Sequence, residues 1–138
     1  MNDQGRTISY LRLSITDRCN LRCIYCMPEK GIPILPHAEI LTYDEIVEII
    51  SSVAEPLGLR GIRITGGEPL VRGGVLDLVR SLAALPKIED LSMTTNGFQL
   101  EAMARPLKEA GLQRVNISLD TLQPDRYRSI CRSGDLAR

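Results

Sequence analysis

Cys19, Cys23 and Cys26 stand in the run Thr16-Asp17-Arg18-Cys19-Asn20-Leu21-Arg22-Cys23-Ile24-Tyr25-Cys26-Met27-Pro28, a C-x3-C-x2-C spacing. Three thiolates this close can hold three corners of a metal cluster and leave the fourth open to substrate or cofactor chemistry. A closed zinc site needs four ligands, usually in two separated pairs. The only other candidates for a fourth are His37 and the distant Cys131. A ferredoxin-type run keeps two residues between its first cysteines and brings a fourth cysteine soon after, which this run does not. Disulfides are disfavoured by the short spacing and by the lack of any mark of secretion. Spacing alone therefore leaves two readings, an iron–sulfur cluster with an open iron and a zinc site.

Three further polar stretches could join the cysteines. Thr65-Gly66-Gly67-Glu68-Pro69 combines a double glycine with an acid; alone it is equally a structural turn. Thr94-Thr95-Asn96-Gly97 contains the common Asn-Gly turn signal. Ser118-Leu119-Asp120 has side chains that could simply cap a helix. Arg12 and Arg63 lie between apolar neighbours, where a buried guanidinium is costly unless paired. Each could face solvent or pair with an acid such as Glu68, or the two could form a clamp for phosphate oxygens.

The elements that must position these residues repeat as strand then helix. Strands are expected at 11–15, 61–65, 88–94 and 114–119, from alternating or β-branched apolar runs. Thr42 and Glu45 form a capping box ahead of Ile46, Ile49, Ile50 and Val53, which recur at helical spacing until Pro56 and Gly58. A second helix is expected from Val75 to Ala84, before Pro86. A third ends at Ala110-Gly111, with its firm part beginning at Pro106. A short fourth follows Pro124. Such alternation implies right-handed crossovers and a parallel sheet, an α/β fold of four (βα) units forming part of a TIM-type barrel. All four polar stretches then fall on the C-terminal rim of the sheet, where such folds place their chemistry. Residues 1–138 read as a single partial-barrel domain, truncated on its C-terminal side, since a parallel sheet wants its edges paired.

Composition narrows the class. Seventeen basic residues balance seventeen acidic ones, so no overall field favours nucleic acid or a membrane surface. No apolar stretch reaches membrane-spanning length, and the first residues lack a signal-peptide pattern. A reducing cytoplasm is the expected compartment.

The cysteine run, Arg63-Ile64-Thr65-Gly66-Gly67-Glu68-Pro69-Leu70, Thr94-Thr95-Asn96-Gly97 and Asn116-Ile117-Ser118-Leu119-Asp120 together resemble the radical S-adenosylmethionine (SAM) superfamily. Within it they are similar to the GTP 3',8-cyclase family of molybdenum cofactor biosynthesis, from about Ser9 to Ile130. The resemblance implies that Cys19, Cys23 and Cys26 bind a 4Fe–4S cluster and that Tyr25, Gly67 and Ser118 bind SAM. Arg12, Arg63 and Thr94 match positions that bind GTP. It implies reductive cleavage of SAM by an electron from an external donor, then hydrogen abstraction from the ribose C3' and attack of that carbon on guanine C8. The product is (8S)-3',8-cyclo-7,8-dihydroguanosine 5'-triphosphate, and the radical abstraction itself needs no general-base residue. Homo-oligomerisation stays open for a full-length enzyme.

Two departures stand out. The family carries a second three-cysteine cluster near its C-terminus, whereas this chain has only Cys131 left, expected to be a packing residue or an incidental thiol. Gly61 stands where relatives often carry a lysine, which puts one triphosphate contact in doubt. The rival readings are another radical SAM enzyme, such as a peptide-modifying one, and a non-catalytic zinc or iron–sulfur module.

Overall fold

Alternating residues of each strand face opposite ways, and in this chain the alternation separates an oily face from a polar one. The computed structural model describes residues 9–136. Its strands are β1 (Tyr10–Ser14), β2 (Gly61–Thr65), β3 (Asp90–Thr95) and β4 (Arg114–Ile117). They form one parallel sheet in the order β1-β2-β3-β4. The helices are α1 (Tyr43–Ala54), α2 (Val75–Ala83), α3 (Leu100–Glu109) and α4 (Pro124–Cys131). This is the expected α/β repeat of four units, an open sheet that fits part of a barrel.

The core lies between one face of the sheet and the first three helices. Ile62 and Ile64 of β2, Leu91 and Met93 of β3, Ile46 and Ile50 of α1, and Leu78 and Leu82 of α2 are fully or almost fully buried. Burying each such side chain stabilises the fold by about 1.5–3 kcal/mol before entropy is counted. β2 lies between β1 and β3 and is buried along most of its length; β4 is exposed throughout. Among the described residues no helix is long and apolar enough to cross a membrane.

Helix α1 starts as its sequence signals. The Glu45 amide donates to the Thr42 hydroxyl, and the Glu45 carboxylate accepts from the Thr42 amide at 2.7 Å. Helix α3 corrects one expectation. It does not begin at Pro106 but runs from Leu100 with the proline inside it. Leu100, Met103, Leu107 and Ala110 fall on one stripe against the core, and their burial offsets the one hydrogen bond that proline cannot make.

Candidate functional site

The register decides which side chains share the polar face. Arg12 lies opposite Arg63, and Arg63 opposite Ser92. Thr94, two residues beyond Ser92, lies opposite Asn116. Arg12, Arg63 and Thr94, separated by about fifty and thirty residues in the chain, therefore stand on one face of three neighbouring strands. Among the described residues neither arginine is paired with an acid, and the buried Nε of Arg63 has no hydrogen-bond partner. Arg63 instead lies over the Tyr10 ring, 5.5 Å from its centre. Two unpaired guanidinium groups side by side form a surface suited to an anion. The alternative pairing with Glu68 is not observed.

Gly61 has a local cause. A Cβ there would come within 2.4 Å of the Tyr10 ring, whose hydroxyl is 2.8 Å from Ser92 Oγ. Tyr10 thus occupies the space above residue 61 that a longer side chain would need.

At the C-terminal rim the four sequence motifs meet as expected, joined by bonds that spacing alone does not reveal. The Gly67 amide donates to the Thr16 carbonyl at 2.7 Å, and the Glu68 amide to the Arg18 carbonyl at 2.8 Å. A Cβ at Gly67 would sit 2.2 Å from the Arg18 carbonyl oxygen. The glycine therefore lets the two backbones touch at the entrance to the cysteine loop. The Glu68 side chain is buried and accepts from the Leu70 amide (3.0 Å), the Thr95 hydroxyl (2.7 Å) and the Asn96 amide (2.7 Å). It ties the glycine motif to the Thr-Thr-Asn-Gly motif. Tyr25, largely exposed, donates to the Asp120 carboxylate at 2.7 Å, joining the loop to the segment after β4. That acceptor, more than burial, pushes the Tyr25 phenol above its ordinary pKa. Ser118 is exposed and its amide donates to the Thr95 carbonyl. Neither Ser118 nor Asp120 caps α4, whose first-turn flank is Gln123.

The floor of the loop comes from a place the sequence did not single out. The Arg22 amide donates to the Cys131 carbonyl (3.0 Å) and the Ile24 amide to the Ile130 carbonyl (2.9 Å). These are carbonyls of the last turn of α4, where a helix leaves acceptors unsatisfied. Leu21, Tyr127 and Cys131 form a small buried cluster, with Cys19 and Cys23 packed against it. Cys131 is thus a packing residue of the cysteine loop rather than an incidental thiol. The only advance signal was its apolar partner Tyr127 one helical turn earlier.

All three cysteines of the run are free thiols; Cys19 and Cys23 are half-buried and Cys26 is exposed. Burial is the main cause that raises the Cys19 pKa. Burial, with the Cys131 thiol adding to it, pushes Cys23 up to about 11. Among the described residues no three cysteine, histidine or acidic groups converge as ligands of a single metal ion. A cluster takes each thiolate at a separate corner and needs no such convergence on one ion. Cys19 Sγ already accepts from the Leu21 amide at 3.4 Å, a backbone contact suited to an iron-bound thiolate. The donor set therefore fits a three-thiolate cluster.

Comparison with known proteins agrees. The family model described as Radical SAM superfamily matches residues 13–138. The chain is 56% identical over 134 residues to the GTP 3',8-cyclase of Petrotoga mobilis, covering 97% of this chain and 41% of that protein. It is 59% identical over 131 residues to the GTP 3',8-cyclase of Moorella thermoacetica, covering 95% and 40%. The chain thus spans about two-fifths of the length of these curated relatives. The crystal structure of BtrN in complex with AdoMet and 2-DOIA superposes with a TM-score of 0.63 at 22% identity, covering 91% of this chain and 51% of that one. At that identity the likeness establishes the shared fold. The three-cysteine loop, the open parallel sheet that carries it and a family match over residues 13–138 agree: the chain belongs to the radical SAM superfamily, with the 4Fe–4S cluster and SAM that such membership implies.

Proposed function

We propose that this chain forms the radical-generating part of a GTP 3',8-cyclase acting in molybdenum cofactor biosynthesis. The observation that carries it is identity of 56–59% to enzymes of that name across nearly the whole chain. The placement of Arg12, Arg63 and Thr94 on one polar face supports it. When bound, the cluster and SAM supply a 5'-deoxyadenosyl radical on receipt of an electron from an external donor.

The residues around that chemistry have separable tasks. Cys19, Cys23 and Cys26 hold three irons. Gly67 and Ser118, at the ends of β2 and β4, and Tyr25 in the loop bind SAM at the rim. Gly67 also holds the loop entrance by its backbone contact with Thr16. Arg12 and Arg63 take the triphosphate of GTP on the polar face below, and Thr94 orients the nucleotide beside them. The protein's main contribution is alignment of the reacting carbons, since hydrogen abstraction by a radical needs no side-chain base. The guanine radical left by carbon–carbon bond formation takes a second electron and a proton to give the dihydro product.

Anaerobic reconstitution tests both halves of the proposal. The expected result is four irons and four sulfides on the cysteine loop, and cleavage of SAM to methionine and 5'-deoxyadenosine on reduction. Stoichiometric zinc without SAM cleavage would point to a binding module instead. For the substrate, Arg12→Ala and Arg63→Ala should each weaken GTP binding about 10- to 100-fold, as loss of a hydrogen bond to a charged group predicts. Guanosine binding should change far less. Equal loss for both ligands, or no GTP binding by the parent chain, would favour a radical SAM enzyme with another substrate. The 138 residues alone are expected to cleave SAM without completing GTP cyclisation.

A further inference from the structure

Asn96 makes more bonds than its turn requires. An Asn-Gly turn needs the Asn side-chain oxygen to accept from the amide two residues on, and here Asn96 Oδ1 accepts from the Phe98 amide at 3.0 Å. That bond fixes which side-chain atom is oxygen, so Nδ2 must face the other way. There it donates to Asn20 Oδ1 at 2.8 Å and points a second N–H at Cys19 Sγ, 3.9 Å distant. The Asn96 main chain is fixed in turn by Glu68, whose buried carboxylate accepts its amide at 2.7 Å and the hydroxyl of the preceding Thr95 at 2.7 Å. Glu68 is 1% exposed, and no basic group among the described residues is paired with it. Its hydrogen-bond partners are the residues that aim Asn96 and its own helical turn at Leu70.

We propose that Asn96 is a positioning and tuning residue for the cluster. Its side-chain amide donates to the thiolate of Cys19, and Glu68 holds the amide in place. With the Leu21 amide, Cys19 then receives two N–H groups. Hydrogen bonds to a cluster sulfur favour the more electron-rich, reduced state, and they raise the reduction potential. The Asn of the Thr-Thr-Asn-Gly motif thereby eases the electron transfer on which SAM cleavage depends. This inference rests on the cluster being held by Cys19, Cys23 and Cys26.

The test compares the reconstituted chain with Asn96→Ser and Asn96→Asp, measuring iron content and a reductive titration followed by electron paramagnetic resonance. Both variants keep a short side-chain oxygen for the Phe98 amide, so the turn survives. Both lose the side-chain amide N–H that reaches Cys19, and the serine hydroxyl is one atom too short to replace it. At the wild-type midpoint, the ratio of reduced to oxidised cluster should fall at least threefold in Asn96→Ser, or about 30 mV for one electron. Asn96→Asp should fall further, because a carboxylate then faces the sulfur. Glu68→Gln, which turns one acceptor oxygen into a donor facing Asn96, should shift the ratio in the same direction. Full iron content with an unchanged ratio overturns the proposal. So does iron loss in which the residual cluster keeps the wild-type ratio, since that is the mark of a merely structural role. Failure of the parent chain to take up any cluster would instead reject the reading on which the inference rests.

Discussion

At Gly67 one missing methyl decides whether two loops can touch. A Cβ there would lie 2.2 Å from a backbone oxygen, which no side-chain rotation can relieve. Gly67→Ala should therefore destabilise the protein by about 1–3 kcal/mol, the usual cost of overpacking, and should lower iron retention because the displaced loop carries Cys19. Gly73→Ala is the matched control. An added Cβ there meets nothing within 4 Å, and the expected change is within about 0.5 kcal/mol. Denaturant unfolding and iron analysis of the two variants check both statements; equal behaviour would refute the contact as the reason for glycine. The same scale explains what spacing could not show about Glu68. An acid there could have paired with an arginine, yet its acceptors are filled by Leu70 of its own turn and by Thr95 and Asn96 of one motif that only the fold brings within reach.

Helices were legible in proportion to how local their causes are. The capping box of α1 lies within four residues, and it forms as read. Thr42→Ala should remove about 1 kcal/mol from stability. The bonds from Thr42 hold the Glu45 carboxyl below its ordinary pKa. A depressed folded-state value means that its contribution is present above the unfolded pKa and is lost as pH falls through the folded one. Glu45→Gln should accordingly flatten the acid limb of stability measured between neutral pH and pH 3, leaving a smaller gap to the parent at the acid end. A constant gap at every pH would rule this out. The start of α3 was misplaced for a physical reason. Proline chemistry is visible in the sequence, whereas the stripe of the partly buried Leu100 and Met103 and the buried Leu107 that overrides it depends on α2 and the sheet being in place. Helix α4 was found but not its role, because its last carbonyls acquire meaning only through the amides of Arg22 and Ile24.

Across the whole molecule, alternation in the strands was enough to assign the parallel α/β fold and the common rim. Cys19, Cys23 and Cys26 stood out by spacing, Arg12 and Arg63 by their place between apolar neighbours, and Thr94 by likeness to a family; the sheet register puts Arg12, Arg63 and Thr94 on one face. Packing was one of the two readings of Cys131, but its place beneath the loop was not legible, because that contact exists only once α4 folds back onto the loop. It makes a direct prediction. In the cluster-free chain, iodoacetamide should label the exposed Cys26 promptly and Cys131, 4% exposed, only under unfolding conditions. Mass spectrometry of timed digests reads the order, and early labelling of Cys131 would contradict the packing described. The two backbone bonds from the cysteine loop to the end of α4 also bear on synthesis. Arg22 leaves the ribosome roughly a hundred residues before Cys131 does, an interval on the order of 5–20 s at ordinary elongation rates. Throughout that interval the nascent chain exposes three thiols without their floor. Iron and sulfide that arrive after α4 emerges meet a loop whose backbone bonds to that helix can already form.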